Sequence, residues 1–156
     1  MRLTILIAIT IALTFVQCRA APTEMAIEMV KHHEGLSLKP YKDTRGNLTV
    51  GYGTNLDYID EEMAEFMLHY VLNRNDIYLG LTYDWYNELD YIPRSIVQDM
   101  VYNMGRGGFS KFRKMHYQLA RGNWVKAAIE MKSSLWYRQT KLRGDYLYKL
   151  MLNYKE

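Results

Sequence analysis

The chain is short of the residues that staple or interrupt small proteins. Its 156 residues include one cysteine and three prolines. A lone cysteine closes no disulfide within the chain, so stability has to come from a packed core, which this length permits. The most apolar stretch, Leu3 to Val16, falls short of the ~20 residues a helix needs to span a bilayer. No Gly-Lys-Ser or Gly-Lys-Thr follows Gly46, Gly51 or Gly53, which excludes a nucleotide loop there. His32, His33, His69 and His116 lack zinc-ligand spacing, so no metal and no cofactor are expected. Net charge is also small. The formal value is +3, and removing Arg2 and Arg19 with the N-terminal segment leaves 20 − 2 − 17 = +1. That balance gives no argument for nucleic acid as a partner.

What is present begins with a segment unlike the rest. Arg2 precedes the apolar run, and Cys18-Arg-Ala20 offers a small-residue cleavage site before Ala21. This is the layout of a secretory signal peptide. Residues 1–20 are expected to be cleaved, leaving 21–156 as a mature domain without cysteine. The product would be secreted, extracellular or periplasmic, and would have no stable membrane association. Thr4, Thr10 and Thr14 dilute the run, so a releasable N-terminal anchor is the alternative. Gln17 is a poor residue to precede a lipidated cysteine.

The remainder is organised around Glu34 to Gly53. Pro22-Thr23 opens a short amphipathic helix that carries Ile27, Val30 and Glu34 on one face, and Gly35 stops it. Leu48, Val50 and Tyr52 alternate with Asn47, Thr49 and Gly51, the period of a half-buried strand. Asp43-Thr-Arg-Gly46 supplies the turn back to a strand around Leu38–Tyr41. Thr49 is expected on the face opposite the apolar side chains. One carboxylate thus ends a helix and another sits at the mouth of a hairpin, a pairing that glycosidic cleavage requires. Taken singly, each acid has a plainer reading, as a solvated helix end or a turn former.

Helices should follow. Asp60-Glu-Glu opens one in which Met63, Phe66, Met67, Tyr70 and Val71 keep helical spacing towards Leu79, with Gly80 after it. Pro93 suits a first turn, and Ile96, Val97, Met100, Val101 and Met104 form the apolar stripe of a core helix that Gly105 breaks. Shorter helices are expected over Ser110–Arg121, Asn123–Lys132, Ser134–Thr140 and Leu142–Asn153. The fold class is therefore α+β and mostly helical. A small hairpin-bearing lobe is joined by a long helix to a helical lobe.

The stretch Glu34-Gly-Leu-x-Leu-x-x-Tyr-Lys-Asp43-Thr-x-Gly46-x-x-Thr49-x-Gly51-x-Gly53 resembles the active-site segment of the bacteriophage T4-type lysozymes, glycoside hydrolase family 24. The distal half agrees at Asp99-Met-Val-Tyr-Asn-Met-Gly105, Trp124-Val-Lys-Ala-Ala128 and Trp136-Tyr-x-Gln139-Thr140-x-x-Arg143. The similarity covers nearly all of residues 24–153, although the middle of the chain is shorter than in the longer members. Thr54 stands where some members have a histidine, and Asn103 replaces a longer amide.

This resemblance implies a lysozyme-like two-lobe fold and a muramidase. Its reaction would be hydrolysis of the β-1,4 bond from N-acetylmuramic acid to N-acetylglucosamine in bacterial peptidoglycan, with inversion. Glu34 would be the general acid, and Asp43 with Thr49 would position the attacking water. Tyr41, Asn103 and Arg143 would contact substrate, with Arg143 close to Glu34. The protein would act as a monomer, in phage release, defence against bacteria or digestion. A membrane-tethered lytic enzyme and a catalytically silent peptidoglycan-binding protein are the alternatives.

Overall fold

The computed structural model describes residues 21–155, so the expected signal segment lies outside the described residues. They form two compact units divided after Asp60.

In the first unit, α1 (Glu24–Glu34) begins where expected. Thr23 caps it by accepting a hydrogen bond from the Ala26 N–H at 3.2 Å. Gly35 ends it at φ +67°, a left-handed conformation that glycine adopts without steric cost. An antiparallel sheet follows in the order β1 (Ser37–Lys42), β2 (Leu48–Gly51), β3 (Thr54–Asn55). The expected hairpin is β1–β2, with Tyr41 opposite Thr49. The third strand was not legible, being two residues long; it pairs Thr54 with Val50 and Asn55 with Thr49.

The facing of β2 departs from expectation. Thr49 is buried, 3% exposed, whereas Leu48 is 44% exposed and Tyr52 is also open. Alternation locates a strand but does not say which of its faces is covered. Here β2 is the central strand, and Thr49 is opposed by Tyr41 on one side and Asn55 on the other.

The second unit is helical: α2 (Glu61–Thr82), α3 (Asp84–Asn87), α4 (Tyr91–Phe109), α5 (Arg113–Leu119), α6 (Trp124–Ser133), α7 (Leu135–Thr140) and α8 (Leu142–Asn153). Its core gathers Leu79, Tyr86, Ile96, Val97, Met100, Val101, Phe109, Met115, Met131, Leu147 and Met151. The expected stripe of α4 is therefore its buried face, with Met104 packed at the edge. Gly105, at φ +73°, breaks the helical path as expected.

Two boundaries moved for identifiable reasons. α2 continues through Gly80 because that glycine serves close packing rather than a stop. Asn87 Nδ2 donates to the Gly80 carbonyl at 3.0 Å, and a Cβ at Gly80 would lie 2.9 Å from Asn87 Oδ1. α5 starts late because the Ser110, Lys111 and Phe112 N–H groups close the end of α4, on the carbonyls of Arg106, Gly108 and Phe109. A further difference concerns burial. Met63, Phe66, Met67, Tyr70 and Val71 of α2 are exposed, and only Asn75 and Leu79, nearer its C-terminus, are buried. Apolar residues run around this helix, Leu68 and Ile77 among them, so its spacing marked a helix without selecting a face. Farther along, Asp76 accepts from Tyr86, Arg94 and Gln98, which ties α2 to α3 and α4.

Candidate active site

The first unit brings Glu34, Asp43, Thr49 and Tyr41 onto neighbouring elements. Glu34 is the last residue of α1 and is exposed. Its carboxylate comes against the turn after β2: a Cβ built on Gly53 would stand 2.7 Å from Glu34 Oε2. Gly53 has φ +76°, so the absent side chain serves both the turn and the carboxylate. The sequence signalled the glycine, but not that it makes room for the acid.

Asp43 occupies the hairpin turn and folds it around its own side chain. Oδ1 accepts the backbone N–H groups of Arg45 and Asn47, both at 2.8 Å, and Oδ2 accepts Asn47 Nδ2 at 3.0 Å. Partial removal from water raises the carboxyl's pKa. The donors from Asn47 and Arg45, helped by the Arg45 charge, outweigh it and hold the group below its ordinary value. The outcome is a carboxylate fixed as an anion. Thr49 lies two residues past Asn47, and its hydroxyl donates to the Asn47 carbonyl at 3.2 Å. Asn47 therefore joins Asp43 to Thr49. A turn-forming aspartate commonly bonds its own backbone two residues on, so this part was legible; the side-chain amide of Asn47 was not singled out.

The other expected residues fall as follows. Tyr41, on β1, is partly open and pairs across the sheet with Thr49. In the helical unit, Arg143 Nε donates to Asp99 Oδ1 at 2.8 Å and its NH2 group to Oδ2 at 3.3 Å. This two-pronged pair lies in a depression lined also by Gln98 and Tyr102. Asn103 Oδ1 accepts the Trp136 indole N–H at 2.7 Å, so that amide oxygen anchors a core tryptophan.

A mostly helical chain with a small antiparallel sheet near its start is the α+β arrangement of a lysozyme-like protein. Residues 31–151 match the model of the phage lysozyme family, and the chain belongs to that family. The chain is 30% identical over 149 residues to the probable T4-type lysozyme 2 of Dictyostelium discoideum, covering 76% of this chain and 88% of the relative. It is 27% identical to the probable T4-type lysozyme 1 of the same organism, with the same coverage. A further relative is the pre-baseplate central spike protein Gp5 of Enterobacteria phage T4, 27% identical over 84% of this chain but only 28% of the spike protein. The chain is thus a glycoside hydrolase, a lysozyme whose substrate is peptidoglycan.

Proposed function

We propose that the protein is a secreted, inverting N-acetylmuramidase that lyses bacterial walls, with Glu34 and Asp43 as its two working carboxyls. The observation that carries this reading is the contrast between them. Asp43 is held as an anion by N–H donors, while Glu34 ends a helix with its carboxyl exposed and set against Gly53. Glu34 donates that proton to the oxygen leaving the muramic acid carbon. Asp43, with Thr49 steadying the Asn47 carbonyl of the same turn, receives a proton from the attacking water.

A carboxylate that already accepts three N–H donors is a weak nucleophile, yet Oδ2, which takes only one of them, keeps a lone pair for water. This favours water attack, hence inversion, over a covalent intermediate. Tyr41, Asn103 and Arg143 contact the glycan strand, and Asp99 sets the orientation of the Arg143 guanidinium beforehand. Export rests on Arg2, the run to Val16 and the Ala20–Ala21 junction. A secreted enzyme of this kind serves antibacterial defence or the digestion of bacteria.

The test is clearing of purified peptidoglycan, with mass identification of the fragments. Wild-type protein should release fragments ending in reducing N-acetylmuramic acid. Glu34→Gln should slow clearing by ~10²–10⁴, the contribution of a general acid. Reducing N-acetylglucosamine ends, or a Glu34→Gln protein that folds and clears normally, would contradict the reading.

A further inference from the structure

The near-neutral total conceals a division of charge along the helical unit. Residues 61–99 contain eight acids and two bases, a formal −6; residues 100–144 contain ten bases and one acid, a formal +9. The one acid of the second stretch is Glu130. Lys111, Arg113, Lys114, Arg121, Lys126 and Lys132 are all exposed. Arg143 in this stretch is neutralised by Asp99. Among the described residues, no carboxylate forms an ion pair with Lys111, Arg113, Lys114 or Arg121.

Where α5 packs on α6, Arg113, Lys114, Tyr117, Gln118 and Glu130 line an open depression of about 380 Å³. Arg121 extends it, its guanidinium 5.4 Å from the centre of the exposed Tyr117 ring. Folding a chain so that like charges share a surface costs self-repulsion, which a polyanion bound there would relieve.

We propose that this basic face is an exosite for the phosphodiester-linked anionic polymer carried by bacterial walls, separate from the unit that holds Glu34 and Asp43. The inference rests on the wall-lytic reading above, which places the enzyme where such a polymer is found. Charge complementarity selects the occupant. The exposed cations Lys111, Arg113, Lys114 and Arg121 run from the end of α4 through α5 into the turn after it, more than the few carboxylates of one peptide stem would neutralise. A repeating phosphodiester keeps one fixed negative charge per unit and can follow the whole face. The arginines supply planar donors for its oxygens, and Tyr117 supplies a flat surface for the intervening polyol. Binding there would concentrate the enzyme on walls and make attachment sensitive to salt.

The experiment is cosedimentation of full-length Glu34→Gln protein with Gram-positive walls, intact or stripped of phosphate polymer by hydrofluoric acid. A second protein adds Arg113→Gln, Lys114→Gln and Arg121→Gln, with thermal melting to establish that it folds. A single Arg113→Gln addition stands in should the triple change not fold. The expected result is binding of the triple variant to intact walls weakened by at least about tenfold at low salt, with the difference shrinking as salt rises, as for the loss of phosphate contacts. Both proteins should bind stripped walls equally. The proposal is overturned by unchanged binding to intact walls, or by an equal loss on stripped walls, which would assign the face to peptide stems. Displacement by duplex DNA at lower phosphate concentration than by soluble wall polymer would also overturn it, in favour of nucleic acid. Clearing of the walls by the Glu34→Gln protein would instead refute the assignment of Glu34 and leave the exosite measurement standing.

Discussion

Asn47 grips Asp43 at both carboxylate oxygens, through its backbone N–H at 2.8 Å and its side-chain amide at 3.0 Å, and takes the Asp43 N–H on its own carbonyl at 3.0 Å. The turn and the ionisation of the acid are thereby one arrangement. Asn47→Ala removes the amide donor and keeps the backbone ones. The pKa of Asp43 should rise, because a donor to the charged form is lost. The acidic limb of the pH profile of kcat/KM should then move to higher pH, with the alkaline limb in place. An acidic limb that does not move would detach Asp43 from the rate.

Gly53 faces Glu34, and two alanine substitutions separate its two duties. Gly53→Ala and Gly51→Ala each force a positive φ on a side-chain-bearing residue, at +76° and +70°, costing roughly 1–3 kcal/mol. Only the first places a methyl group 2.7 Å from Glu34 Oε2; at Gly51 nothing lies within 4 Å. Thermal melting should report similar losses for both variants. The turnover number should fall much further in Gly53→Ala, since the carboxyl is displaced. Equal turnover in the two would mean that the contact does not position the acid.

His116 should contribute to acid sensitivity between pH 6.5 and about 4. It packs against Tyr83, Trp85 and Phe109, and its Nε2 is buried without a hydrogen-bond partner. Burial pushes its pKa down to about 4 from 6.5, with a hydrogen bond to the Phe109 backbone acting weakly the other way. The neutral ring is thus favoured by folding. Its contribution is complete above pH 6.5 and is lost as the pH falls towards 4, by up to about 3 kcal/mol at ~1.4 kcal/mol per pH unit. Urea midpoints should decline over that window in the wild type, and the decline should be shallower in His116→Gln. Parallel declines would place the acid sensitivity elsewhere.

Much of this was legible in the residues. Thr23 and Gly35 bound α1 as their chemistry dictates, and Ile96, Val97, Met100 and Val101 marked the buried face of α4. The candidate acids stand out through the spacing of Glu34, Asp43 and Thr49, which lies within one local segment. The misses depended on contacts distant in sequence or on which face a neighbour covers. Thr49 is buried on the central strand, and the two-residue β3 beside it leaves no periodic trace. Gly80 looked like a helix stop until the Asn87 amide was seen against it. Asp99 was part of a quoted motif, yet only folding reveals that it holds Arg143, 44 residues away. The charge division was open to counting throughout and is hidden by the net value.

The central claim is that Asp43 activates water and does not attack the sugar. The anomer released first decides it, read by NMR on fresh digests of the β-linked glycan before mutarotation. The account predicts the α-anomer of the new reducing N-acetylmuramic acid, formed by direct displacement with water. Initial release of the β-anomer, or a glycosyl ester trapped on Asp43, would contradict it.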